Sequence, residues 1–208
     1  LEAFSKNVDL SKVSDIKDLN VKNPKINSKN LEKEEFFSLI EDLKSKAKDN
    51  PEDQKANLDS LMAKEAEMGW QLLNNKHVIL HQNNDSIALI GVENSGNPPF
   101  PHYSDLKNAM EGTDGMFKIL LSHDPSHWRR EVLPETDIQL TLSGHTHAMQ
   151  TEILGFSPSR FIYPEYSGLY QEGEQYLYVN IGLGYLMFPM RLGAWPEITL
   201  FTLTHKGN

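Results

Sequence analysis

The sequence of 208 residues predicts a layered α/β fold built around a mixed β-sheet. From about residue 77 onward, short apolar runs alternate with turn residues, a pattern typical of strands. Several of these runs are continuously apolar instead of alternating, as expected for strands that are covered on both faces. Amphipathic pieces between the runs predict the helices that cover the sheet.

Two helical patterns precede the strands in the chain. Apolar residues recur at helical spacing in EKEEFFSLIEDLKSKAK and in QKANLDSLMAKEAEMGWQLL. We expect Gly69, or the pair Asn74 and Asn75, to end the second helix. Strands are predicted in HVILHQ, SIALIGVEN, FKILLSHD, IQLTLSGHT, SRFIYPEY, QYLYVNIGLG and EITLFTL. Short helices are predicted around SDLKNAM and SHWRREVL.

Residue composition divides the chain into unlike parts. Residues 1–55 are rich in Lys, Asp, Asn and Ser, and their scattered apolar residues are too few for a core. Residues 56–204 carry the predicted α/β domain, and residues 205–208 form a polar tail. Because the sequence begins on Leu1 instead of Met, we expect it to be part of a longer protein.

Charge and composition exclude several classes of function. A net charge of -9 argues against binding of nucleic acid through its phosphates, although a bound metal would supply local positive charge for a small phosphorylated substrate. The absence of cysteine excludes disulfides, thiolate zinc sites and cysteine nucleophiles. No apolar run approaches the ~18 residues of a membrane span, so we expect a soluble domain.

Histidines follow two of the predicted strands at their carboxyl ends. The run LLSHDP places His123 there, and the run LSGHTH places His145 and His147. Open α/β sheets bind ligands beyond the carboxyl ends of their strands, so neighbouring strands would bring these side chains together. Neutral imidazole is the commonest metal ligand, and the pattern therefore predicts a zinc, manganese or iron site. The alternative is that each histidine is a hydrogen-bonded structural residue.

Other polar residues are candidates for the same cleft, each with a structural alternative. Asp124 is either a further ligand or a turn residue, and Asn94 beside Glu93 either lines the cleft or caps a turn. His127 either lines the cleft or belongs to the first turn of the SHWRREVL helix, which we favour. Arg191 either contacts a phosphate oxygen or is a surface arginine. We expect the remaining histidines to be surface residues: His77, His81, His102 and His205.

The segments SHDP and SGHTH resemble the last two motifs of the calcineurin-like metallophosphoesterases. The resemblance extends from about Ala56 to Leu203 through MGWQLLNNKHVIL, IALIGVEN, IYPEYSGLY, YLYVNIGLG and PMRLGAWPEITLFTL, and it points to a bacterial, often membrane-linked branch. It implies an α/β/β/α sandwich and hydrolysis of a phosphomonoester or phosphodiester by a metal-bound hydroxide. It also implies that His123 and His145 share one divalent metal and that His147 holds a second; Mn, Zn, Fe, Mg and Ca are not distinguished.

The N-terminal motifs of that family do not occur in this sequence. Asp-x-His, Gly-Asp-x-x-Asp and Gly-Asn-His-Asp/Glu, which would supply the bridging aspartate and the leaving-group histidine, are absent, and Lys17 follows Asp15 where a histidine would stand. We therefore expect the sandwich to lack its N-terminal half. Two dications about 3.5–4 Å apart repel each other unless carboxylates offset their charge. Three neutral imidazoles do not, so we expect at most one weakly held metal in this chain alone.

Two functions from different classes follow from this comparison. The favoured one is an enzyme, a metal-dependent phosphoesterase that is active only when the missing upstream ligands are supplied. The alternative is a catalytically inactive remnant that serves as a regulatory or binding module. The expected partner is a phosphorylated small molecule or a lipid or cell-envelope phosphate, and nucleic-acid binding is not expected. A bacterial membrane would be reached through sequence outside this chain.

Overall fold

The structure is a computed structural model that describes residues 5–9, 51–82, 85–98, 100–186 and 189–203. The chain divides into two compact units, Leu1–Asn20 with Leu73–Asn208, and Val21–Leu72. The described part of the smaller unit is residues 51–72, in which helix α1 (Pro51–Glu67) ends beside Gly69 at φ +80°, as the sequence predicts. The helix predicted in residues 32–48 lies outside the described residues. Within the described ranges, no helix is long and apolar enough to cross a membrane.

The larger unit is built on a mixed six-stranded sheet, which confirms the predicted fold class. Its strand order is β2-β3-β4-β5-β7-β6, with parallel pairing in the centre and an antiparallel strand at each edge. The strands are β2 (Lys76–Gln82), β3 (Asp85–Gly91), β4 (Phe117–Leu121), β5 (Leu140–Ser143), β6 (Gly168–Glu172) and β7 (Gln175–Val179). A separate parallel pair joins β1 (Ser5–Asp9) to β8 (Ile198–Thr202).

Both faces of the sheet are covered, which explains the continuously apolar strands. One face packs against helix α2 (Leu106–Ala109) and the π-helical turn Trp128–Val132, which continues into α3 (Leu133–Glu135). The other face packs against Phe201 of β8 and against Leu203, which follows that strand. Successive residues of one strand point to opposite faces, so Ala88 joins the first cluster and Ile87 the second.

One predicted strand is wrong. The segment SRFIYPEY forms the 3₁₀ turn Pro158–Phe161 followed by irregular chain, because the Ser157 side chain accepts from the Ser159 amide and begins the turn. The strand at this edge is instead Gly168–Glu172, which pairs with β7 across a two-residue loop that begins with Gly173 at φ +59°.

Candidate metal centre

Two histidines meet at the carboxyl ends of neighbouring parallel strands. His123 follows β4 and His145 follows β5, and these strands pair with Leu121 beside Leu142. The pairing continues past the strands, where the Gly144 amide donates to the His123 carbonyl over 3.1 Å. As a result, Nδ1 of His145 lies 3.1 Å from Nε2 of His123, and the two rings are nearly perpendicular.

The unusual backbone conformation beside these rings is at His145 and not at the preceding Gly144. His145 adopts φ +72°, in the left-handed region that non-glycine residues rarely occupy, whereas a Cβ at Gly144 would meet no atom closer than 3.8 Å. His147 follows at φ +49°. Backbone strain of this kind persists where the surrounding structure enforces it, and it is concentrated at functional sites.

Tyr163 belongs to the same cluster, and sequence reasoning missed it. Its hydroxyl lies 2.7 Å from Nε2 of His145, the ring nitrogen that faces away from His123. Sequence reasoning assigned Tyr163 to a strand, where its side chain would have packed on the sheet. The prolines at positions 158 and 164 indicate that this segment is not a central strand, because proline in a sheet is confined to edge strands or irregular positions.

His147 lies on the other side of the turn and contacts Arg191 instead of the histidine pair. Nδ1 of His147 is 3.3 Å from Nη2 of Arg191. The guanidinium also donates to the carbonyls of Ile181 and Ala194, at 2.8 and 3.1 Å, so it braces the loop before β8. Burial and then the charge of Arg191 lower the pKa of His147. Arg191 therefore borders the site, and its contact with a phosphate stays a prediction.

Asp124 lies beside the pair while its side chain forms a turn. Its Oδ1 accepts from the Ser126 amide over 2.8 Å, and only 6% of the residue is exposed. Burial lowers the pKa of His123 and raises that of Tyr163; the nearby Asp124 carboxylate opposes the first shift and adds to the second. The turn that was one of the two predicted alternatives is present, and metal ligation by Asp124 stays a prediction.

His127 is fully buried beneath the site and has no access to a substrate from this position. Nδ1 is 2.9 Å from the Ser122 hydroxyl and Nε2 is 3.2 Å from a Glu131 carboxylate oxygen. Burial lowers the pKa of His127, although Glu131 opposes that shift. Because Ser122 directly precedes His123, this network fixes the backbone at the end of β4.

The remaining candidates occupy other contacts. The Asn94 amide donates to the Pro101 carbonyl over 2.6 Å, and Glu93 accepts from the Asn75 side chain over 2.7 Å. Both therefore hold the loop after β3 in place. His81 and His102 are exposed as expected, His205 lies outside the described residues, and His77 is instead half-buried against the Ala109 carbonyl.

The geometry of the pair fits two ligands of one divalent ion. Metal–imidazole bonds of about 2.0–2.1 Å at tetrahedral to octahedral angles place two ligand nitrogens about 2.9–3.4 Å apart, which includes the observed 3.1 Å. Partial desolvation of His123, and then the neighbouring ring of His145, lower the pKa of His123 and favour the neutral ligand form. A direct N–H···N hydrogen bond fits the same separation. Within the described residues, no group of three or more histidines and carboxylates is arranged to hold a metal.

Comparison with known proteins gives partial matches. The Bacillus subtilis protein named "Uncharacterized metallophosphoesterase YkuE" is 43% identical over 98 residues, covering 44% of this chain and 32% of the relative. A Bos taurus "Transmembrane protein with metallophosphoesterase domain" is 38% identical over 128 residues, covering 59% of this chain and 28% of the relative. An Aquifex aeolicus "Uncharacterized metallophosphoesterase" is 30% identical over 129 residues, covering 60% and 48%. No family model and no solved structure matches the chain.

These matches cover part of the chain. Over those stretches the chain is similar to proteins named metallophosphoesterases. The resemblance predicted from SHDP and SGHTH is thereby confirmed, and it covers part of this chain. The chain spans 28–48% of the length of these three metallophosphoesterase relatives, so a complete relative contains much sequence that has no counterpart in the alignments.

Proposed function

We propose that this chain contributes the histidine ligands of a divalent-metal site that hydrolyses a phosphomonoester or phosphodiester. The observation that carries the proposal is the 3.1 Å approach of His145 Nδ1 to His123 Nε2 at the ends of adjacent parallel strands. A chain related to metallophosphoesterases places its imidazoles where an open α/β sheet binds ligands.

Each of these residues would have its own role in such a site. A bound divalent ion supplies positive charge to a phosphoryl oxygen and lowers the pKa of water toward neutrality. His123 and His145 would hold that ion through the two nitrogens that face each other. In the metal-bound site the Tyr163 hydroxyl would accept a hydrogen bond from Nε2 of His145, which would fix the tautomer that leaves Nδ1 as a ligand. His147 would serve a second ion, and Arg191 beside it would meet a substrate oxygen only after giving up carbonyl contacts.

Catalysis would need more than these residues. The three imidazoles carry no negative charge, and two closely spaced dications need carboxylates to offset their repulsion. We propose that residues corresponding to the absent Asp-x-His, Gly-Asp-x-x-Asp and Gly-Asn-His motifs complete the site. The expected activity of the 208-residue chain alone is therefore weak metal binding with little hydrolysis.

Titration of the metal-free chain with Zn²⁺ or Mn²⁺ by calorimetry tests the ligand assignment. His145→Ala should weaken binding of the first ion at least about tenfold, because one of two nitrogen ligands is lost. His81→Ala is the matched control, since His81 is exposed on β2 and should bind as the parent chain does. If the parent and the His145→Ala variant bound the metal with equal affinity, His145 would not be a ligand. The contact between His123 and His145 would then be only a hydrogen bond.

Hydrolysis of p-nitrophenyl phosphate and bis(p-nitrophenyl) phosphate with Mn²⁺ separates the catalytic role from metal binding. Tight binding without turnover, in a protein that also contains the upstream motifs, would favour a binding or regulatory module. For the natural substrate we propose a phosphorylated small molecule or a lipid or cell-envelope phosphate. The Bos taurus relative is named a transmembrane protein, which supports a location beside a membrane.

A further inference from the structure

An exposed apolar surface borders the histidine site. More than half of the exposed large apolar side chains in the described ranges lie in residues 149–162, 183–186 and 189–195, which we call the apolar rim. Leu154 is 102% exposed, Phe161 82% and Trp195 63%. Monomeric soluble proteins rarely expose contiguous apolar patches of this kind unless the patch has a binding role.

The segments of the apolar rim are joined to one another. The Glu152 amide donates to the Leu192 carbonyl over 2.7 Å, and the Leu192 amide donates to the Gln150 carbonyl over 2.8 Å. Phe156 and Phe161 pack edge to face with ring centroids 5.8 Å apart. Backbone pairing therefore holds residues 149–162 and 189–195 of the apolar rim together.

The apolar rim is connected to the residues of the proposed metal site. Its first segment begins within the turn that carries His147, and that segment is followed immediately by Tyr163, whose hydroxyl contacts His145. Its third segment contains Arg191, which contacts His147. Any apolar phase that covers the rim would therefore have its polar surface close to His145 and His147.

The composition of the apolar rim fits a lipid bilayer. Its charged residues are Glu152, Arg160 and Arg191, a net charge of +1 in a chain whose net charge is -9. Tyr185 and Trp195 are exposed within it, and these two residue types favour the boundary between lipid headgroups and acyl chains. Leu154, at φ +51° between the bridged residues Ile153 and Phe156, projects fully into solvent from the tip of a turn. Such protruding apolar tips enter a bilayer without needing a matching groove.

We propose that the apolar rim docks this domain onto the surface of a lipid bilayer. Apolar side chains enter the acyl boundary and the two arginines lie at the level of the headgroup phosphates. Docking itself does not depend on hydrolysis. The corollary that the site acts on a phosphoester carried by a lipid rests on the proposed function.

Co-sedimentation of the full chain with phosphatidylcholine vesicles tests docking without any catalytic readout. The chain should partition onto the vesicles, and the partition coefficient should change little with salt because apolar insertion drives it. The double variant Leu154→Gln/Phe161→Gln should lower that coefficient at least about tenfold. Phe100→Gln is the matched control, because Phe100 is 64% exposed but lies outside the apolar rim, and it should bind as the parent does.

Three results would overturn the proposal. The parent chain could stay in the supernatant at every lipid concentration. The double variant and the Phe100→Gln control could lose binding equally, which would remove the apolar rim as the cause. Size-exclusion chromatography could show a dimer that the double variant alone dissociates, which would assign the apolar rim to contact between two copies. Since none of these measurements uses metal or follows hydrolysis, failure here leaves the proposed function to its own test.

Discussion

Replacing Tyr178 by phenylalanine should destabilise the larger unit by about 2 kcal/mol at neutral pH. Tyr178 is 2% exposed, and its hydroxyl donates to the carboxylate of Glu197, which is itself 6% exposed. A hydrogen bond to a charged group contributes about 1.5–3 kcal/mol, and its loss leaves a buried carboxylate with one donor fewer. The Thr199 hydroxyl, 2.8 Å from the same oxygen, would be its remaining side-chain donor.

The pH dependence of stability probes the burial of the Tyr178 hydroxyl together with its hydrogen bond. Burial, and then the hydrogen bond to Glu197, raise the pKa of Tyr178 to about 12. The pKa of tyrosine in an unfolded chain is about 10. Between these values the native state keeps a proton that the unfolded state has lost, so the stabilisation is complete below pH ~10 and is lost as the pH rises toward about 12. The full shift corresponds to roughly 3 kcal/mol, at about 1.4 kcal/mol for each pKa unit.

Urea denaturation followed by circular dichroism, repeated from pH 7 to pH 12, measures both effects. Tyr178→Phe should lower the free energy of unfolding at pH 7 and should show a smaller further loss above pH ~10 than the parent chain. Tyr103→Phe is the matched control, because Tyr103 is 62% exposed and its loss should change stability little. Parallel alkaline destabilisation of the parent and Tyr178→Phe would refute the assignment of this shift to Tyr178.

Two further substitutions test the loops that frame the site. Arg130→Lys should lower the free energy of unfolding by about 1–2 kcal/mol in the same urea assay, because lysine cannot reproduce the forked contacts of 2.7 Å each to two oxygens in the loop after β3. Gly193→Ala would place a Cβ 1.7 Å from the Glu152 carbonyl oxygen. The substitution should therefore separate residues 189–195 from residues 149–162 and speed amide exchange in both segments. Gly112→Ala, which has a similar φ but no atom within 4 Å, controls for backbone strain and should leave exchange in the apolar rim unchanged.

The positions of His123 and His145 could be predicted from the sequence, because each follows an apolar run that has the pattern of a buried strand. Continuously apolar runs ending in SHDP and SGHTH predict buried parallel strands with polar residues at one edge, and the structure brings His123 and His145 together there. No long-range information was needed beyond the assumption that the two strands are neighbours. The hairpin of β6 and β7 is equally local, but only β7 was predicted, in QYLYVNIGLG, and its partner β6 was not.

The contacts of Tyr163 and His147 depend on parts of the chain that are distant in sequence. Tyr163 reaches His145 only because its segment leaves the sheet, and His147 faces Arg191 across 44 positions of sequence. Neither apolar periodicity nor residue spacing encodes such pairings. The sequence placed His147 at the same edge of the sheet as the other two histidines but could not show its contact with Arg191, and its role as a metal ligand stays a prediction.

The left-handed turn after His145 shows why local rules fail at this point. His147, Ala148, Met149 and Gln150 all have φ between +47° and +56°, and such a conformation costs about 1–2 kcal/mol for each non-glycine residue. It persists because both of its ends are held: the Ser157 hydroxyl donates to the Ala148 carbonyl over 2.6 Å, and the Leu192 amide donates to the Gln150 carbonyl. Ala148 is fully buried, so packing adds to these bonds. Because the strained residues connect the histidines to the apolar rim, the contacts that hold that surface together also set the direction in which His147 points.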